Sequence, residues 1–316
     1  MSFTPETTTT LSAGMPTYFD PEVLDVLRPA RHFGELTTRK AIPENAGKTI
    51  SFLRYTRIPG STTALTEGTA PNSTALTTSA VTATLSAWAQ FVVLEDFVVK
   101  TVVDPVVGNT QKELMDSGLN VIDLLVRNQI TAGGTNYFAN GKSALTGIAS
   151  GDTLSMTDIR KVQRILENTN VPKFKENRYH SVIHPYQKYD LIALTTAGNW
   201  NDIHKYTDAQ KAMAMQDEMG EAYNIRFMVS TNCLTTASGT SAGTTAYYGA
   251  VAGRDAIASI SLKSGGGKPQ KFVKEPELSL DDPAKQFWLV SVKIPFLVPK
   301  VLEQSRVISI ISAATQ

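Results

Sequence analysis

Thr49-Ile50-Ser51-Phe52-Leu53-Arg54-Tyr55 and Ala80-Val81-Thr82-Ala83-Thr84-Leu85-Ser86-Ala87-Trp88-Ala89-Gln90-Phe91-Val92-Val93 both read as β-strands, and the rest of the chain is arranged around them. In the second, Val81, Ala83, Leu85, Ala87, Ala89, Phe91 and Val93 alternate with Thr82, Thr84, Ser86, Trp88 and Gln90, the period of two of a strand with one covered face. The first is rich in β-branched and aromatic residues. Taken as strands over 49–58 and 80–93, they make a long hairpin arm. Its tip, 61–79, holds Gly68, Pro71 and Asn72 and has little apolar periodicity. A lone two-stranded ribbon is marginal in water and needs a partner. A neighbouring subunit would supply one; two strands of an ordinary sandwich are the other reading.

The hairpin feeds a long helix. Asp104 suits the N-cap and Pro105 the first helical position, where its missing N–H costs nothing. Leu114, Gly118, Ile122, Leu125 and Gln129 form a stripe, flanked by Met115, Leu119, Val126 and Ile130, that runs until Gly133-Gly134. A continuous helix over 105–131 is about 40 Å long, a spine more than an ordinary globular helix.

Composition bounds the function. The chain has 316 residues, 42% of them hydrophobic, enough for one large or two ordinary domains. Thirty basic against 29 acidic residues leave a formal charge of +1, so no global field recruits nucleic acid or an anionic membrane. Over 22–57 seven Lys/Arg face four acids, and Glu275, Glu277, Asp281 and Asp282 could complement them, although a solvated surface explains both. Cys233 is the single cysteine, read as a small buried apolar residue made in a reducing cytoplasm. Residues 1–15 lack the pattern of a signal peptide. No run reaches the roughly 18 apolar residues of a membrane span, because Glu95, Asp96, Lys100 and Asp104 interrupt the best candidate.

Elsewhere the reading is mixed α and β. Ser155 and Asp158 make a capping box for a helix carrying Ile159, Val162, Ile165 and Leu166. Residues 179–183 read as a strand, His184-Pro185 open a helix to Leu194, and another helix runs from Asp208 to Gly220. A strand follows over 225–230, then a small-residue loop over 235–245. Trp288, Val290, Val292, Ile294, Phe296 and Val298 alternate in a last strand that Pro295 and Pro299 push toward a sheet edge.

Several stretches imitate catalytic motifs. Gly239-Thr240-Ser241-Ala242-Gly243 matches a nucleophile elbow, but His32, His180, His184 and His204 all precede Ser241 and no helix follows it. Gly141-Lys142-Ser143 has Asn136 where a phosphate loop needs glycine, and Ser264-Gly265-Gly266-Gly267-Lys268 is followed by Pro269; both read as turns. His180 and His184 lie on a strand, where four residues span about 13 Å, too far for one metal ion. The pairs Glu95-Asp96 and Asp217-Glu218 read as solvated acids. No catalytic residue, cofactor or metal site is expected.

The order of these features resembles the major capsid proteins of tailed bacteriophages. It comprises the ribbon strand 47–55, Leu65-Thr66-Glu67-Gly68 at the tip, the returning strand, and Asp104-Pro105 before the long helix. It continues through Arg127-Asn128, Gly134-Thr135-Asn136, the helix start at 154–160, His184-Pro185 with Tyr189-Asp190-Leu191, and Gly220 followed by Ile225-Arg226-Phe227. The similarity spans about residues 20 to 310 and is greatest to the N-four-type subgroup. It implies an α+β, Hong Kong 97-like capsid fold: an N-terminal arm (1–40), an extended loop (41–97), a peripheral domain with the spine helix (98–150), a mainly axial domain (151–270) and return strands to the peripheral domain (271–316). It further implies a non-enzymatic subunit that self-assembles as hexamers and pentamers into an icosahedral head. That head would enclose double-stranded DNA by non-specific contact, with a portal and any decoration or scaffolding proteins as partners and no membrane. Assembly would take place in the host cytoplasm and the product would be the virion. Arg54, Arg57 and Glu67 match ribbon and tip positions and are expected at intersubunit contacts.

The chain departs from the prototype in lacking a long charged helical segment ahead of the arm, so any scaffold is expected to be separate or unnecessary. Its opening at Met1 implies that no prosegment is removed. A pair for a covalent lysine–asparagine cross-link is not assignable: Lys40 and Lys48 sit at the ribbon base. An encapsulin-like shell around protein cargo shares the fold, and a β-rich adhesin or hydrolase is the distant alternative. Deleting 61–79 is expected to leave a folded, soluble subunit that forms no shells; circular dichroism and sedimentation together check this, and normal particles would remove the segment from the interface.

Overall fold

In a computed structural model of the chain, residues 26–70, 73–102, 104–193, 218–237, 244–263, 265–278 and 282–315 are described. Their strands are β1 (Thr37–Ile42), β2 (Thr49–Tyr55), β3 (Thr78–Thr84), β4 (Ser86–Glu95), β5 (Thr135–Phe138), β6 (Tyr179–Ile183), β7 (Glu218–Ala222), β8 (Ile225–Val229), β9 (Thr235–Ala237), β10 (Thr245–Ala252), β11 (Ile257–Leu262), β12 (Gln270–Lys274), β13 (Phe287–Val301) and β14 (Val307–Ser312). The helices are α1 (Asp96–Thr101), α2 (Val106–Gly133), α3 (Met156–Asn168) and α4 (Pro185–Ala193). One sheet runs β1-β11-β13-β12, with β4 also on β13. A second runs β5-β14-β10-β6-β8-β7, with β9 on β10, and β2-β3 stand apart as a ribbon. The fold is thus α+β, as the sequence implied. The two larger sheets draw on distant parts of the chain: β1 pairs with β11, more than 200 residues later, in the five-stranded sheet, and β5 pairs with β14, from the end, in the seven-stranded one.

The ribbon is shorter than the sequence pattern suggests. Strand β2 pairs antiparallel with β3 from Thr49↔Thr84 to Tyr55↔Thr78. At Leu85 the backbone N–H still reaches the Lys48 carbonyl at 2.8 Å; then β4 turns to β13, with Trp88 opposite Ile294 and Glu95 opposite Phe287. What covers the strand also changes sides. Ala83 and Leu85 bury themselves at the ribbon base with Ile42, Ala258 and Ile260. Farther on, Val92 and Leu94 pack under α2, and Phe91 and Val93 are exposed. Alternation along 80–93 was real, but no single face of it is covered throughout.

Helix α2 matches the expected spine within two residues at each end, with a different N-terminus. Helical geometry starts after Pro105, and the Asp104 carboxylate accepts from the Asn109 side chain at 2.8 and 3.0 Å instead of capping backbone N–H groups. Its buried residues are Leu114, Gly118, Asp123, Val126 and Ile130. Gly118 is needed for close approach: a Cβ there would lie 3.0 Å from a Val292 methyl and 3.3 Å from Pro269. Strand β13 is central, not an edge, contrary to the expectation from its prolines. Pro295 falls at a register shift between Ile294 and Leu297, where the ladder is already interrupted and Phe296 has φ 49°. Pro299 lies past the end of β4, where β11 alone pairs with the strand.

The Ser155 capping box forms: Ser155 Oγ accepts from the Asp158 N–H at 3.2 Å and donates to its carboxylate at 2.6 Å. Strands β6 and β8 and helix α4 appear where the sequence placed them. The helix expected over 208–220 lies mostly outside the described residues, and its last part, Glu218 to Gly220, is strand β7. Replacing Gly118 by leucine should force α2 off β13 and destabilise the subunit by about 1–3 kcal/mol, read from the midpoint of urea unfolding.

Candidate functional site

The ribbon is held to the body at its base. Ile50 and Phe52 join the apolar cluster around Ile42, Ala83 and Leu85. One strand-length out, the Arg54 guanidinium donates to Glu303 of the same chain at 2.5 Å and to Ser79 Oγ at 3.2 Å. Past that point the ribbon carries exposed apolar side chains, Tyr55, Ile58, Leu65 and Leu76. Arg57 and Glu67 are exposed and, among the described residues, make no ion pair. Of the three residues singled out from the sequence, the fold therefore brings Arg54 to an intrachain partner and leaves Arg57 and Glu67 on the projecting part. Glu303 carried no sequence signal, since nothing local marks a partner so far along the chain. Of the other basic residues over 22–57, Arg28 and Arg31 also find partners within the chain, Glu113 and Asp116 of α2.

Over its β4-β13-β12 part the five-stranded sheet has one face under α2 and the other bare, whereas over β1 and β11 the ribbon base covers that other face. Across the bare face Phe272, Ser291 and Phe91 stand in register, followed by Lys274, Leu289 and Val93. Phe91 is 65% exposed and Phe272 50%, an apolar patch of the kind found where another surface docks. At the end of β4, Asp96 accepts from the Trp288 indole N–H at 3.0 Å and from Lys100, so it is a structural acid and not the solvated one expected. The hydrogen bond from Lys100 and then that from Trp288 hold its carboxyl below the usual range.

Where the two sheets meet, several charged groups are buried. Asp123 on α2 accepts from the backbone N–H groups of Phe33 and Gly34 at 2.9 and 3.3 Å and from the Asn232 amide at 2.8 Å. Burial pushes its pKa up against these donors. Glu218, read from the sequence as solvated, is buried. It grips Arg226 by two bonds of 2.8 and 3.1 Å, because β7 and β8 pair across that point. Cys233 is buried as expected, with its thiol pushed up by burial. His180 lies flat on Phe174, ring centroids 4.1 Å apart, with neither ring nitrogen hydrogen-bonded. Burial and then the nearby Arg226 charge lower its pKa, against weaker opposing effects of Glu35 and Glu176. His184 accepts the Tyr186 N–H through Nδ1 at 3.3 Å and packs on Tyr247, and burial lowers it too. The two histidines thus serve separate surroundings. Ser241 and its glycines lie outside the described residues; Gly141 and Lys142 form a turn, with Lys142 3.5 Å from Asp152.

Both histidine pKa values are depressed on folding. Stability from keeping the rings neutral is complete above the unfolded value near 6.5 and is lost as the pH falls below it. The melting temperature should drop between about pH 7.5 and about pH 5.5, and His180→Phe, which keeps the stack and removes the proton site, should flatten the drop. Calorimetry at the two pH values checks this; an unchanged slope in the variant would show that His180 does not carry the effect.

No protein-family model and no curated protein matches the chain. Solved structures do. The capsid of Ralstonia phage GP4 aligns at TM-score 0.74 and 16% identity, covering 95% of this chain and 96% of that one. The capsid of cyanophage P-SCSP1u aligns at 0.67 and 16% over 100% of both chains. The cyanophage Pam1 capsid aligns at 0.68 and 13% over 96% of this chain and 97% of that one. Ribbon, spine helix and two sheets thus make the Hong Kong 97 type of fold of tailed-phage capsid proteins.

Proposed function

We propose that this chain is a major capsid subunit that assembles as hexamers and pentamers into an icosahedral phage head around double-stranded DNA. The observation that carries the reading is a ribbon whose outer part has no cover in its own subunit, on a chain that shares its fold over nearly full length with phage capsid proteins. A monomer gains nothing from an exposed two-stranded arm with Tyr55, Leu65 and Leu76 on it. A shell does, because each arm can rest on the next subunit and the small gain repeats around the ring. The role is structural, with no catalytic step. A portal, with any decoration or scaffolding proteins, would complete the head, with assembly in the host cytoplasm and DNA met by non-specific contact. The near-neutral charge suits close packing of many copies.

Within this reading Arg57 and Glu67 contact a neighbour, and Arg54 acts through Glu303 by fixing the angle at which the ribbon leaves the body. Electron microscopy of the purified chain tests the function: closed icosahedral particles support it, protein-filled shells without nucleic acid favour a cargo compartment, and a persistent monomer sinks it. For the ribbon, the partly exposed Arg54–Glu303 pair is worth only about 0.2–1 kcal/mol to the isolated subunit. Arg54→Glu and Glu303→Arg should each melt nearly as wild type yet lower particle yield, and the two combined should restore it. A double variant as defective as the singles would instead place Arg54 against a neighbouring subunit.

A further inference from the structure

Among the described residues strand β4 is an edge strand with no backbone partner on its outer side. One side is paired to β13 from Ser86↔Leu297 to Glu95↔Phe287. Among the described residues no other strand pairs with it, and no turn or loop backbone bonds to residues 86–94. Sheet proteins blunt such edges with lysine, proline, a bulge or a covering element, because a bare row of N–H and C=O groups is a template for another chain. The opposite free edge of the same sheet is blunted in this way: β12 carries Lys271 and Lys274 on either side of Phe272 and Val273. Over residues 86–94 of β4 there is no such guard. Residues 68–94 contain no charged side chain in a protein that is 19% charged, and the one proline among them, Pro71, precedes β4 by 15 residues in the sequence. Uncharged, β-prone and open over residues 86–94, this edge is a hazard if left bare.

The occupant it fits is an uncharged strand that also has a free edge. Among the described strands of more than five residues, β3 and the 86–94 part of β4, which carries its one charge at the terminal Glu95, alone meet both conditions; β10, β11 and β14 are uncharged but paired on both sides. Both belong to 78–94. In a single copy β3 runs into β4 through Leu85 and is tied back to β2, so it cannot also lie alongside β4. We propose that the free edge of β4 is completed, main chain to main chain, by the 78–94 stretch of a second copy of this chain. Absence of charge on both partners lets identical segments meet without the repulsion that like charges facing across a strand pair would bring. Exposed Phe91 and Val93 stand beside the joined edge and would be partly covered by the incoming side chains. The proposal rests on the self-assembly reading and adds to it which backbone meets which.

Residue-resolved hydrogen exchange on the wild-type chain, as dissociated subunits and as assembled particles, reads the edge directly. In subunits, the amides of 86–94 that point away from β13 should exchange freely, and those bonded to β13 slowly. In particles the free set should slow by about a hundredfold or more, whereas the bonded set changes little. Free exchange of the outward set in particles overturns the proposal and leaves the capsid reading intact. Protection already present in subunits also overturns it, because the cover would then come from the chain itself. Failure to form any particle overturns both readings. As a second measurement, Ala89→Glu places a charge at this exposed edge position, opposite Lys293 of β13; the subunit should melt no lower than wild type and lose association, and normal particles from it would count against the edge.

Discussion

The seating of α2 on both sheets is the contact on which the other parts depend. Its first half lies on the five-stranded sheet through Leu114 against Val290 and Val292, and Gly118 lets it approach to contact distance. Its second half, Val126 and Ile130, enters a different cluster with Phe33 and Leu36 and with Val182, Met228 and Val307 of the seven-stranded sheet. One rigid helix therefore forms a wall of two cores. Asp123 stands between those halves and ties the entering chain at Phe33 and Gly34 and the loop at Asn232 to the same turn. A buried carboxylate is costly, and three donors are what make it tolerable.

That spine leaves the ribbon and β4 with no cover of their own. The helix occupies one face of the β4-β13-β12 layer, so the other face, with Phe91 and Phe272, is bare. The ribbon leaves the layer at Leu85, and past Arg54 no ion pair ties it to the body among the described residues. Burial is strong where the two sheets and α2 meet and weak at the ribbon and the β4 edge. This distribution suits a subunit that folds first and finishes burying its surface when copies meet.

Electrostatics follow the same division. At the centre are paired or hydrogen-bonded charges whose loss would leave a buried partner, such as Glu218 with Arg226. On the projecting parts are single exposed charges, Arg57 and Glu67, that cost the subunit nothing and are free to choose a partner. Between them Arg54–Glu303 is a surface pair whose stabilising value is small and whose value as a positioning contact is larger.

Local physics made much of this legible in the sequence. The 3.6-residue stripe named the spine, Ser155 and Asp158 named the start of α3, and β-branched alternation named the strands of the ribbon and β13, because each signal is carried by residues close in the chain. The order of those elements also matched the capsid fold. Illegible were the facts that depend on which distant segment arrives: that 80–93 changes partner and covered side at Leu85, that β13 is central because Pro295 falls in a bulge, that β7 replaces the end of a helix, and that Arg54 finds Glu303. Strands β1, β10, β11, β12 and β14 also carried too little pattern to be named. Alternation and capping are set by a few neighbouring residues, so the sequence by itself determined the kinds of element and their order. Which face is buried, which edge is open and which charge is paired depend on long-range packing, and only the tertiary structure decided them.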